Sequence, residues 1–338
     1  MKKITLTGIA ALAAMCAASV TAQTVIKLTG AGATFPDPIY KKWFGEFKAA
    51  RNIEINYQAL GSGAGIKQLT EGTVDFGASD MPMLDEQIAA VKVHPLHFPT
   101  VLGGIVLIYN ITGVDTGLVL TPDAVSGIYL GEIKKWNDPK IASANPKVKL
   151  PAEEIFVVRR AESSGTTFVF TDYLSKVNPT WKSKVGANAS VAWPVGVGQA
   201  KNDGVAGTVK QTPNSIGYVE LTYAATNHLP FADMKNAAGN VVKASFNSVT
   251  EAAASSKDLA PDFRGSITNS AGKGAWPISS YTWLLIPSQI PDPAKKKAVV
   301  DFLNWMLTTG QKDAQPLSYA PLPKNIVSLE QRQIAQIK

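Results

Sequence analysis

Three times along the chain a short apolar run gives way to a loop of small residues and then to a helix. This arrangement constrains the fold more than any other feature. Val25 to Thr29 reads as a strand, 30–35 as a loop, and Pro36 onward as a helix. In that helix Ile39, Tyr40, Trp43, Phe44 and Phe47 recur at three and four residues. Ile53 to Ala59 alternates like a strand, Gly61 to Gly65 is the second loop, and a helix follows through Ile66 and Leu69. Phe156 to Arg159 leads into Glu162-Ser163-Ser164-Gly165-Thr166 and an aromatic-rich helix, Phe168 to Leu174. Val101 to Tyr109 is a strongly apolar strand, and a helix runs from Pro293 to a stop at Gly310. Strands alternating with helices predict an α/β fold. The 338 residues predict two domains, and 45% hydrophobic against 17% charged residues exclude a disordered chain. Residues 232–275, rich in Ala, Ser, Asn and Lys, read as a poorly patterned surface stretch.

The first residues read as an address. Lys2-Lys3, an uncharged apolar run from Leu6 to Ala18, and the small residues before Gln23 follow the order of a secretory signal peptide, 1–22. The run is shorter than the ~20 residues needed to span a bilayer. The single cysteine, Cys16, lies inside it, so the processed chain is expected to carry no disulfide, no thiol nucleophile and no thiolate metal site. Loss of Lys2 and Lys3 lowers the formal net charge from +7 to +5. The basic residues are scattered, without the dense patch that a nucleic-acid partner requires.

The small-residue loops carry the chemistry. A helix start leaves backbone N–H groups unpaired at the positive end of the dipole, and Ser or Thr adds a hydroxyl. One such loop reads as capping. Three beside an arginine read as a seat for an oxyanion. Arg159 and Arg160 precede the third loop, and strand alternation sends only one of them to such a site. Asp80, in Asp75-Phe76-Gly77-Ala78-Ser79-Asp80, would repel an anion unless that anion carries a proton to share. It reads equally as a helix cap before Met81-Pro82. The phosphate-loop, dinucleotide and nucleophile-elbow patterns are absent. His94 and His97 lack a third metal ligand. With no clear general base or metal, hydrolysis is not expected.

Several motifs, taken together, resemble a known family. They are Leu28-Thr29-Gly30-Ala31-Gly32-Ala33-Thr34-Phe35-Pro36, Val74 to Asp80, Val158 to Thr166, Tyr129 to Trp136, Trp193-Pro194-Val195-Gly196 and Ile216 to Glu220. Their order and spacing resemble the periplasmic phosphate-binding proteins of Pst-type ABC transporters, over nearly the whole chain after the leader. The resemblance implies a two-lobed venus-flytrap fold with two inter-lobe crossovers, near Pro99–Gly104 and Trp276–Ser280. Lobe I would comprise 23–100 and 278–338, and lobe II 101–277. The implied phosphate ligands are Thr34, Phe35 (backbone N–H), Ser62, Asp80, Arg160, Ser164, Gly165 (backbone N–H) and Thr166, with no metal or cofactor. Glu162 would pair with Arg160 where the family usually has Asp, and Gly63 stands where Ser is frequent. A monomeric periplasmic receptor that passes phosphate to a membrane permease is expected, not an enzyme. The alternatives are a receptor for another tetrahedral oxyanion, a phosphate-ester hydrolase using Ser62 or Ser164, and an extracellular adhesion or signalling role.

Overall fold

The computed structural model describes residues 25–256 and 259–338. The expected signal peptide and Cys16 lie outside the described residues. The described strands are β1 (Ile26–Gly32), β2 (Ile53–Ala59), β3 (Phe76–Ser79), β4 (Pro95–Asn110), β5 (Val119–Leu120), β6 (Phe156–Arg160), β7 (Val197–Gln199), β8 (Ser215–Glu220), β9 (Asp233–Lys235), β10 (Val241–Val242) and β11 (Ser279–Pro287). Eight of them form one sheet in the order β2-β1-β3-β11-β4-β8-β6-β7, and β10-β9-β5 form a small second sheet. β1 is parallel to β2 and β3, and β6 to β7 and β8. Parallel neighbours need crossovers, which helices Asp37–Arg51, Ser62–Glu71, Gly165–Val177 and Lys201–Gln211 provide. This is the mixed α/β architecture expected.

β4 is the spine of the sheet. Its residues 95–104 pair antiparallel with β11, and Ile105 to Asn110 pair antiparallel with β8. The apolar run from Val101 to Tyr109 is buried throughout, as a strand covered on both faces must be. The strand reaches back beyond that run to Pro95, because Leu96 and Phe98 continue the ladder with β11.

A separate aromatic cluster packs on each half of the sheet. Phe44 and Phe47 of helix Asp37–Arg51 meet Phe302 of helix Pro293–Thr308, which also buries Val299, Leu303 and Met306. Asp292 caps that helix through the Ala294 and Lys295 N–H groups. On the other half Tyr129, Phe170, Trp193 and Tyr218 pack together.

Two expectations are corrected. The glycine-rich segment after Thr29 is not all loop, since β1 continues to Gly32. A Cβ on Gly32 would lie 2.0 Å from the Ala78 carbonyl oxygen, and Gly32 holds φ +145°. Glycine there permits close approach of β3 rather than a turn. Residues 232–275 are not simply surface. They supply β9, β10 and helix Phe246–Ala254, and they bury Met234, Val249, Ala252, Phe263 and Ile267. Elements this short offer too few apolar positions for a period to emerge.

Glu330, on helix Lys324–Ile334, is buried with neither carboxylate oxygen hydrogen-bonded among the described residues. Burial holds its pKa well above the ordinary carboxylate value. A raised folded-state pKa leaves stability intact below the ordinary carboxylate range and erodes it as pH climbs toward the folded value. Glu330→Met is therefore expected to raise the melting temperature by several degrees at pH 8 and by less at pH 5. Thermal unfolding at the two pH values checks this.

Candidate functional site

The ends of β1, β3 and β6 converge with two helix N-termini. Thr34 and Phe35 follow β1, and Ser62 opens helix Ser62–Glu71. Asp80 follows β3, and Arg160 is the last residue of β6. Ser164 is the N-cap of helix Gly165–Val177, and Gly165 and Thr166 form its first turn. Every one of these residues is buried. Phe35 turns its ring toward Tyr319, so only its backbone is available to a site.

Contacts join the two groups of loops. Arg160 Nη2 donates to Thr34 Oγ1 at 3.2 Å. The Gly63 N–H donates to the Ser163 carbonyl at 3.1 Å. A Cβ on Gly165 would lie 2.3 Å from Ser62 Oγ and 2.6 Å from Asp80 Oδ2, so Gly165 alone lets that helix start approach both. The structure thus brings all eight sequence-selected residues into one cluster. Gly63 also has a physical reason, because a side chain there would lie 2.3 Å from Ser163 Oγ.

Glu162 accepts from Arg160 Nε at 3.0 Å, from Arg160 Nη2, and from the Lys201 N–H at 3.0 Å. Burial alone would raise its pKa. The Arg160 hydrogen bond and charge, with the Lys201 N–H, outweigh burial and hold it below the usual range. Arg160 retains Nη1 buried and unpartnered among the described residues. Arg159 is half-buried and donates to the Arg160 carbonyl.

Asp80 is not a helix cap, since the next helix begins at Asp85 after Leu84. Its Oδ1 accepts from Thr282 Oγ1 at 2.8 Å, and its N–H donates to Ser62 Oγ at 3.2 Å. Burial pushes its pKa up from 3.8 to about 7, against the opposing pull of Thr282, Arg160 and Ser62. A buried carboxyl poised near neutrality can accept or share a proton.

Two neighbours were not singled out in the sequence. Thr282, a hydroxyl inside the apolar run of β11, had a legible signal in its polarity. Asn202 had none. Its Nδ2 donates to Thr34 Oγ1 at 2.9 Å and Thr166 Oγ1 at 3.4 Å, and its Oδ1 accepts the Glu220 N–H. With Arg160 and Asn202 both donating to it, the Thr34 oxygen has its acceptor capacity filled, and its own proton is directed elsewhere. His97 is structural, with Nε2 accepting the Met83 N–H at 3.1 Å.

Residues 17–309 match a family model described as the PBP superfamily domain. A phosphate-binding protein PstS of Xylella fastidiosa (strain Temecula1) is 46% identical over 305 residues, covering 89% of this chain and 83% of that protein. The Pasteurella multocida PstS is 42% identical over 314 residues, covering 92% and 90%. The chain belongs to the PstS family of phosphate-binding proteins. PstS relatives are components of transport, not enzymes. Among solved structures, a high-affinity periplasmic phosphate-binding protein crystallised with phosphate at pH 8.5 aligns with TM-score 0.75 at 19% identity, over 91% of this chain and 93% of that one. A phosphate-binding protein from Stenotrophomonas maltophilia aligns with TM-score 0.68 at 18% identity, over 92% and 94%. The PstS chain described here shares their two-lobed α/β fold. Among the described residues no helix is long and apolar enough to cross a membrane.

Proposed function

We propose that this chain binds inorganic phosphate between two lobes and delivers it to the permease of an ABC transporter for import. One observation carries the reading. An unpartnered guanidinium N–H of Arg160 and the near-neutral carboxyl of Asp80 share a buried cluster otherwise made of hydroxyls and helix-start amides. An oxyanion needs the first, and an oxyanion that carries a proton needs the second. Phosphate near neutral pH has both, whereas sulfate lacks the proton. Burying such an ion is costly unless each oxygen is paired, which the density of donors provides.

In this reading Thr34, Ser62, Ser164 and Thr166 donate hydroxyls and Phe35 and Gly165 donate N–H groups. Arg160 donates its guanidinium, and Asp80 accepts the phosphate proton. Lobe I comprises 23–100 with 278–338, and lobe II 101–277. The change of partner along β4 at Gly104 and the start of β11 at Ser279 support that division. The chain acts as a monomer in the periplasm after cleavage of its leader near Ala22.

Titration calorimetry with phosphate and sulfate tests the proposal. Phosphate is expected to bind at least a hundredfold tighter, a difference of about 2.7 kcal/mol. Equal affinities would sink it.

A further inference from the structure

The Ala33–Phe35 loop is held from behind by three tyrosines. Tyr57 Oη donates to the Ala33 carbonyl at 2.7 Å, Tyr223 Oη to the Thr34 carbonyl at 2.5 Å, and Tyr319 Oη to the Phe35 carbonyl at 2.7 Å. Three successive carbonyls are thus each capped by a phenol, and each phenol comes from a different part of the fold. Tyr57 lies in β2, Tyr223 in helix Leu221–Thr226 after β8, and Tyr319 in the segment beside Leu102. The Thr34 carbonyl also receives a longer contact from the Asp37 N–H, at 3.3 Å.

A trans peptide is planar, with its carbonyl and N–H on opposite sides. Fixing a carbonyl therefore fixes the N–H of the next residue. Tyr57 orients the Thr34 N–H, and Tyr223 orients the Phe35 N–H. Tyr319 holds the Phe35 carbonyl, whose peptide partner is the nitrogen of Pro36, which has no proton to aim. A hydrogen bond accepted at the carbonyl also polarises the peptide and strengthens its donor. Burial raises all three phenol pKa values, so each hydroxyl keeps the proton it donates.

We propose that Tyr223 is a positioning residue for anion binding: reaching across from the β8 side of the sheet, it aims the Phe35 amide into the site by holding the other end of the same peptide group. Tyr57 does the same for the Thr34 amide. This inference rests on the phosphate-binding reading above.

The test compares Tyr223→Phe, Tyr57→Phe and Tyr319→Phe in the full chain by calorimetry with inorganic phosphate. It also records the Phe35 amide proton shift by NMR. Each variant keeps its ring and loses one hydroxyl. Tyr223→Phe is expected to weaken phosphate binding about tenfold and to move the Phe35 amide upfield. Tyr57→Phe is expected to weaken binding comparably. Tyr319→Phe is expected to change affinity less than threefold, although it loses a bond of the same length. Wild-type affinity in Tyr223→Phe, or an equal loss in Tyr319→Phe, overturns the inference. Should wild type bind no phosphate, the functional reading falls separately. An unmoved Phe35 amide in unliganded Tyr223→Phe then overturns the orientation claim by itself.

Discussion

Arg160→Ala is expected to weaken phosphate binding by roughly two to three orders of magnitude, the usual cost of truncating one partner of a buried, hydrogen-bonded charge pair. Two losses combine. The unpartnered Nη1 donor disappears, and so does the positive charge beside Glu162. The Glu162 carboxylate, held ionised chiefly by Arg160, is then left facing an incoming anion with only the Lys201 N–H and its own backbone N–H to offset it. Combining Arg160→Ala with Glu162→Gln removes that repulsion and is expected to recover about tenfold of the lost affinity. Calorimetry on both variants decides the matter. A single variant within threefold of wild type would end the role assigned to Arg160.

Asp80→Asn is expected to act in two opposite directions. Binding weakens, though less than in Arg160→Ala, because the amide oxygen still accepts a hydrogen bond and the charge repulsion is gone. Sulfate is expected to bind the variant better than it binds wild type, since nothing then demands a proton. The unliganded fold gains stability. The folded-state pKa of Asp80 is raised from 3.8 to about 7. Below the unfolded value both states are protonated and no penalty exists. Between the two values folding must take up a proton, so stability falls as pH rises. Above about 7 the full penalty applies, on the order of 4 kcal/mol. Asparagine never carries it. Melting curves of the phosphate-free protein should therefore separate at pH 8, with the variant higher, and merge near pH 4. A lower melting point for the variant at pH 8 would contradict the burial argument.

What the sequence makes legible follows from where the information lies. Helix Asp37–Arg51 is readable because its five buried aromatic or apolar side chains, Ile39, Tyr40, Trp43, Phe44 and Phe47, recur at three and four residues, so a period survives. The middle of β4 was readable because burial on both faces demands an unbroken apolar run. β1 is not legible past Thr29 because Gly30 and Gly32 look like a loop until β3 lies against them. The segment 232–275 hid two short strands and a helix whose apolar positions number too few to repeat. In the site, the loops that hold Thr34, Ser62 and Ser164 stand out by their small and hydroxyl residues at helix starts, whereas the individual ligands, and Arg160 rather than Arg159, follow only from the family resemblance. Asn202 and the phenols of Tyr57, Tyr223 and Tyr319 carry no such signal. The fold carries the three phenols, from as far as Tyr319, to three carbonyls in one short loop, and brings Asn202 to the Thr34 and Thr166 hydroxyls.

The pairing of β11 between β3 and β4 has a consequence for how the molecule comes into being. β3 waits for a neighbour encoded about 200 residues downstream, and closing so long a loop is slow. The stretch between Ile105 and Ser279 is one unbroken excursion, and within it β8 pairs with β4 and β6 without β11. The strands made first pair among themselves, β1 with β2 and β3, but the edge of β3 gains its antiparallel neighbour β11 only when most of the chain has been made.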